Sequence, residues 1–305
     1  MKKTYFTDDK NGFYGCYYPS NKKSQVSFIS FLGNNFDDTL AKCGVKYLHN
    51  FNINVMAMSL SKNNSDFANY PLEKIGKAID FLQREGNTKI GILGASTTAT
   101  VALIASSYYS SLTLTIALSP SDFVMEGIHI KKGVELPSIN ESSITIAGIP
   151  LSFIPFYYRG IVHDKMRKEE AKKTGNVIAS RYIFNEAEHY HPVTEKETIK
   201  TENITGQVIV IGAEDDSFWD TVKYIKRIKA RHNTNQPKAN WNYLTYKYGT
   251  NYVFPDSLVN KINPFTNTLL SSLLFKSGRM HNKECKETRM DIDRKLKFII
   301  TQWKK

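Results

Sequence analysis

Cysteine is scarce in this chain of 305 residues: three in all, at positions 16, 43 and 285. So few, and so scattered, they exclude a disulfide framework and the paired CxxC spacings of zinc or thioredoxin-like sites. Long apolar runs are missing as well. The most apolar stretch, Val101 to Leu118, is broken by serines, threonines and two tyrosines, so no membrane span is expected. Lys2 and Lys3 have no apolar run behind them, which reads against a secretory signal peptide and for a cytoplasmic protein. The Gly-rich phosphate signatures GxGxxG and GxxxxGKS/T do not occur, and no cofactor is expected. His189-x-His191, with Glu186 and Glu188 nearby, is the one metal-like grouping, and spacing places no third ligand beside it, so no metal is expected.

Acidic residues are outnumbered, 29 Asp+Glu against 41 Lys+Arg, for a net charge of +12. That balance suits an anionic partner such as nucleic acid, a membrane surface or a phosphate-bearing substrate. The lysines are spread along the chain, however. The denser groups (Lys165 to Lys173, Lys223 to Arg231, Lys283 to Lys297) alternate with acids and apolar residues, as solvated helix faces do. No zinc-finger or RRM signature accompanies them, so no nucleic-acid partner is expected.

What is present is a rhythm of apolar runs and helix-like segments. VSFISFL (Val26 to Leu32), INVMAMSL (Ile53 to Leu60), KIGIL (Lys89 to Leu93), LTLTIAL (Leu112 to Leu118), QVIVI (Gln207 to Ile211) and WNYLTYKY (Trp241 to Tyr248) read as strands. Residues 36–49, 72–84, 97–108, 217–231 and 284–303 read as helices between and after them, and residues 12–19 as an antiparallel edge strand. Short strands joined by helical crossovers predict an α/β fold with a mostly parallel central sheet flanked by helices, organised as one domain over residues 1–305. Residues 120–203 break the rhythm and read as a helical insertion, a lid or cap between the fourth strand and the next. Within it the apolar run Ile149 to Tyr158 (IPLSFIPFYY) either lines a cavity for a greasy substrate or packs on the body.

The sharpest motif is Gly94-Ala95-Ser96-Thr97-Thr98, which follows KIGIL and opens the helix 97–108. This is the strand–turn–helix setting of the nucleophile elbow GxSxG. A tight turn there holds a serine hydroxyl at the carboxyl end of the sheet, and the Thr97 amide at the helix start faces a developing oxyanion. Thr98 replaces the usual second glycine and crowds the turn. A second oxyanion donor belongs to the loop after an earlier strand, where the Asn34 or Asn35 amide is the candidate. A triad acid should follow a later strand. QVIVI runs into Gly212-Ala213-Glu214-Asp215-Asp216, and Asp216 is preferred to Asp215. The alternative, that Asp216 or Ser217 caps the helix that follows, stays open.

With these residues in view, the chain resembles the bile acid-CoA:amino acid N-acyltransferases and acyl-CoA thioesterases. The likeness is to their catalytic C-terminal domain, a dienelactone-hydrolase-like α/β-hydrolase. The matching stretches are GILGAS, ALSPSDFVMEG (Ala117 to Gly127), VIVIGAEDDSFW (Val208 to Trp219) and YKYGTNYVFP (Tyr246 to Pro255), and the likeness covers roughly residues 10–303. The resemblance implies Ser96 as nucleophile, Asp216 as acid and a small-molecule acyl thioester or ester as substrate. The amino-acid acyltransferases use cysteine where Ser96 stands, so hydrolysis is implied over transfer. It also implies a histidine in a Gly-His-Tyr turn after the last strand. Here the turn reads Gly249-Thr250-Asn251-Tyr252, with Asn251 at the expected histidine position. Asparagine is not a base at neutral pH, and a serine hydroxyl without one is a weak nucleophile. A catalytically weak or inactive binding protein on the same scaffold is therefore the alternative reading. The histidines present (His49, His129, His163, His189, His191, His232 and His281) carry no motif that marks one of them as the base.

Overall fold

The computed structural model describes residues 3–61, 66–132, 134–260 and 267–305. In chain order its strands are β1 (Thr4–Phe6), β2 (Tyr14–Tyr18), β3 (Val26–Phe31), β4 (Asn54–Ser59), β5 (Tyr70–Pro71), β6 (Lys89–Ala95), β7 (Leu112–Leu118), β8 (Glu126–Lys131), β9 (Val134–Ser142), β10 (Ile144–Ile146), β11 (Ile149–Pro150), β12 (Gln207–Ala213) and β13 (Trp241–Tyr246). The helices are α1 (Asp8–Asn11), α2 (Thr39–His49), α3 (Glu73–Arg84), α4 (Thr97–Tyr108), α5 (Gly160–Thr174), α6 (Arg181–Tyr190), α7 (Thr221–Thr234), α8 (Asp256–Val259), α9 (Asn267–Leu274), α10 (Lys276–Met280) and α11 (Asn282–Trp303).

Eight strands form the central sheet in the order β1-β2-β4-β3-β6-β7-β12-β13. From β4 to β13 all pairings are parallel; β2 runs antiparallel to β4, and β1 antiparallel to β2. Parallel strands covered on both faces are near-continuously apolar, and β4 is buried at every residue, Asn54 and Ser59 at its ends included. One face carries Met56, Ile90, Ile92 and Val210 under α3, α4 and α7. The other carries Phe28, Val55, Leu93 and Ile209 under α2, α8 and α11. This is the mostly parallel sheet flanked by helices that the apolar runs predict, and the α/β-hydrolase sheet that the resemblance implies.

The order has a functional consequence. The chain leaves β3 in one direction toward β4, then crosses back to β6 on the other side of β3. In open α/β sheets, ligands bind outside the carboxyl ends of the strands at such a reversal. The loops after β3 and β6 are therefore neighbours, with Phe31 paired to Gly94.

The insertion differs from the helical one expected. Its first half is β-structure: the β8–β9 hairpin, and β10 and β11 beside β5. In β8 the residues Ile128-His129-Ile130-Lys131 alternate half-buried and exposed, a period of two that the prolines and glycines around it obscure. Only the second half, α5 and α6, is helical. Glu126, buried at the start of β8, ties the parts together. Its carboxylate pairs with Arg159 and accepts from the Phe156 amide at 2.8 Å and the Asn140 amide at 3.1 Å. The aromatic run divides: Ile154 and Phe156 pack into the body, whereas Tyr157 and Tyr158 face outward and solvent reaches them.

Candidate active site

β6 ends at Ala95 and α4 begins at Thr97, so Ser96 alone makes the turn. Its backbone stands at φ 55°, ψ −124°. A non-glycine residue in that region is strained, and such strain collects where a side chain must be aimed. The Ser96 hydroxyl does not cap α4. Four contacts fix the bend. The Ser96 amide donates to the Leu118 carbonyl of β7 at 2.7 Å. The Thr98 hydroxyl, with one hydrogen to give, lies within hydrogen-bond distance of the Phe31 (2.8 Å) and Ala95 (2.9 Å) carbonyls and accepts from the Ala95 amide (3.0 Å). Thr98 is thus a clasp between the elbow and the end of β3 rather than a crowding defect. Gly94 makes room: a Cβ there would lie 2.2 Å from the Thr98 carbonyl oxygen. As the first residue of α4, Thr97 has an amide with no intrahelical acceptor, and it points along the positive end of the helix dipole.

The loop after β3 corrects one expectation. The Asn34 and Asn35 amides are not open donors. Both donate to one oxygen of Asp38, at 2.7 and 3.2 Å, while the other oxygen accepts from the Ala41 amide at 2.9 Å. Asp38 caps α2 and folds back over Gly33, whose φ of 82° brings the loop under the carboxylate. The physical reason is local: a helix N-cap acid beside unpaired loop amides satisfies them before any ligand does.

The two adjacent aspartates after β12 part company. Asp215 faces the turn after β13, accepting from the Gly249 amide (2.9 Å), the Thr250 amide (2.7 Å) and the Ser277 hydroxyl. With Thr250 at φ 58°, this shapes the turn that presents Asn251. Asp216, 1% exposed, accepts from the Phe218 amide (2.9 Å), the Thr221 hydroxyl and the Asn251 side-chain amide (3.1 Å). It does not cap the helix that follows; Asp220 caps α7. The structure thus brings Asp216 and Asn251 into the contact that an acid and a histidine would make.

Burial pushes the Asp216 carboxyl up to about 6, against the lowering pull of the Thr221 and Asn251 hydrogen bonds. A folded-state value above the unfolded one means that the folded protein holds the proton more tightly. This group's contribution is therefore most favourable below about pH 4 and is lost as pH rises from about 4 to about 6. Two units correspond to about 3 kcal/mol. Denaturant unfolding at pH 4 and pH 7 is expected to show that difference in wild type minus Asp216→Asn. A flat difference would show that burial does not strain this carboxylate.

The histidines stand elsewhere. His163 is buried in α5 against Phe156, and burial pushes it down to about 4. His232 sits between the Thr201 and Tyr243 hydroxyls. His49 meets the Tyr18 carbonyl, and His129 meets Glu141. His189 and His191 lie at the exposed end of α6, and His281 stacks on Tyr248 at 3.9 Å. Among the described residues no histidine hydrogen-bonds Ser96 or Asp216. No group of three His, Cys, Asp or Glu side chains among them would hold a metal ion.

A family model described as BAAT / acyl-CoA thioester hydrolase C terminal matches residues 71–256, more than half of the chain. The chain belongs to that family. The match spans Ser96, Asp216 and the Asn251 turn. No match was found among curated proteins. Among solved structures, the Pyrococcus furiosus esterase Pf2001 is similar, with a TM-score of 0.51 and 14% identity over 90% of this chain and 89% of that one. Est1E from Butyrivibrio proteoclasticus gives a TM-score of 0.46 at 11% identity, over 93% and 99%. A dienelactone hydrolase-like promiscuous phosphotriesterase, P91, from metagenomic libraries gives 0.49 at 11% identity, over 89% and 97%. At such identities the likeness to Pf2001 is one of fold. Thr98, Asp38 and Asp215 shape these loops, a part that the sequence reading did not give them. The N-cap position of Asp38, just before helix 39–49, is the signal that would have found it.

Proposed function

We propose that this BAAT / acyl-CoA thioester hydrolase family member is a serine hydrolase of acyl thioesters or esters, slowed by the absence of a triad base. In this reading Ser96 Oγ adds to the substrate carbonyl, its proton passing to solvent water, and the Thr97 amide receives the negative charge on the former carbonyl oxygen. Asp216 supports the residue at position 251. The observation that carries it is the strained backbone of Ser96 between β6 and α4. Asn251 donates to Asp216 as an imidazole would, but it takes up no proton from the serine. Losing one triad member leaves roughly 10³–10⁴-fold catalysis over water from binding and the oxyanion site.

A second reading has its own observations. With Asn251 at the base position and Asp38 on the loop amides, the chain is a binding protein on a hydrolase scaffold. A fluorophosphonate probe separates the two. Slow covalent labelling, lost in Ser96→Ala, supports the enzyme. No labelling at high probe concentration supports the binding protein.

A further inference from the structure

The rim beside the acid and Asn251 loops carries a surface that the hydrolytic reading leaves unused. The end of α5 and residues 175–177 are stitched to the α9–α10 junction by several hydrogen bonds. Arg279 Nη2 donates to the Gly175 carbonyl at 2.7 Å, the Lys276 amide to Asn176 Oδ1 at 2.7 Å, and the Val177 amide to the Leu274 carbonyl at 2.7 Å. Around this seam stand four exposed cations, Lys172, Lys173, Lys276 and Arg279. Among the described residues none has a carboxylate within ion-pair distance; Arg279 spends its donors on the carbonyls of Ser272 and Gly175. The acids near them are engaged elsewhere. Glu170 turns inward to the Tyr182 amide, Asp215 holds the Asn251 turn, Glu169 lies 3.8 Å from Lys165 and Glu284 lies 3.8 Å from His281. Between the cations three large apolar side chains face water: Val177 at 59% exposure, Leu273 at 56% and Met280 at 66%.

The patch adjoins the site. Ser277 of α10 bonds Asp215, Ser217 bonds the Ile178 carbonyl, and His281 stacks on Tyr248 just before the Asn251 turn. Unpaired cations interleaved with apolar side chains match a surface of negative headgroups over acyl chains: the charges meet phosphate while the apolar tips enter the interface. We propose that this rim docks the protein on an anionic lipid bilayer, with the acid and Asn251 loops turned toward the membrane. No helix among the described residues is long and apolar enough to cross it. The docking does not depend on Ser96 being reactive, and its test involves no turnover.

The test is flotation of the full chain with vesicles of phosphatidylcholine alone or with 30% phosphatidylglycerol, at low and near-physiological salt. Partitioning onto the anionic vesicles is expected to exceed that onto neutral ones by at least tenfold and to fall with salt. Removing one lysine near such a surface lowers partitioning about fivefold, so Lys172→Glu/Lys173→Glu, at the exposed end of α5, should lower it by more than tenfold. Lys22→Glu/Lys23→Glu makes the same change in net charge before β3, at the opposite end of the sheet, and should lower it less than threefold. Equal losses in the two pairs would overturn the proposal, since net charge alone would then be the cause. Absence of any preference for anionic vesicles would overturn it too. So would tighter binding of duplex DNA through Lys172 and Lys173, which would make the surface a nucleic-acid site.

Discussion

Asn251→His is expected to raise hydrolysis of acyl thioesters or activated esters at least tenfold, toward the roughly 10²–10⁴-fold that a positioned general base contributes. The frame for the imidazole is already built. Asp215 holds the Gly249 and Thr250 amides, and Thr250 at φ 58° turns the chain so that residue 251 meets Asp216. An imidazole Nδ1–H would take the place of the Asn251 amide on Asp216 Oδ2, and on the proposed reading its other nitrogen would accept the Ser96 proton. An imidazolium beside Asp216 would favour its ionised form and lower the carboxyl from its burial-raised position. Two readouts check this: kcat/KM against p-nitrophenyl esters and acyl-CoAs, and the pH profile. The variant should gain an activity limb that rises through the imidazole titration, which wild type lacks. Unchanged turnover would mean that position 251 does not face Ser96, or that another group already serves as base.

The sheet was legible in the sequence because parallel strands buried on both faces have no reason to alternate. VSFISFL, INVMAMSL, KIGIL and LTLTIAL are predominantly apolar runs whose small polar residues Ser27, Ser30, Asn54, Ser59 and Thr115 are also buried, and each is a central strand. Helix 97–108 was legible to the residue, since the elbow sets its start and Tyr109 its end. The β8–β9 hairpin was not. It lies among glycines and prolines that normally punctuate loops, and only four residues show its period of two. β1 was missed for a related reason: three residues are too few for any pattern to register.

The site was legible at the level of position and not of partnership. The end of QVIVI placed Asp216 and the family resemblance placed Asn251, and the two side chains do meet. Spacing does not reveal which of two adjacent aspartates faces which loop. That depends on the direction of the chain as it leaves β12, where the Asp215 side chain goes to the Asn251 turn and the Asp216 side chain to Thr221 and Asn251 itself. The Thr98 clasp was equally hidden, because its acceptor on Phe31 belongs to a strand 67 residues away in sequence.

Asp38→Gly should move stability and reactivity in opposite directions. Asp38 is the N-cap of α2, and losing such a side chain to glycine costs a few tenths of a kcal/mol, against about 1 kcal/mol for alanine. The melting temperature should therefore fall by no more than a few degrees. Reactivity should rise, because the Asn34 and Asn35 amides now carry a carboxylate. An oxyanion cannot share them with it: two unit charges about 4 Å apart repel by about 4 kcal/mol at an effective dielectric of 20. One donor freed to a developing oxyanion is worth about 10²–10³ in kcat where the geometry is right. In the Asn251→His background, Asp38→Gly should accordingly raise kcat by about tenfold or more, with little change in KM, because the gain lies in the transition state. Asp38→Asn is the discriminating control. It keeps a neutral acceptor on the same amides, so it should preserve the cap and recover only part of the gain. If Asp38→Gly left kcat unchanged while lowering the melting temperature, the carboxylate would be a helix cap and nothing more, and the oxyanion would rest on the Thr97 amide without help from the loop after β3.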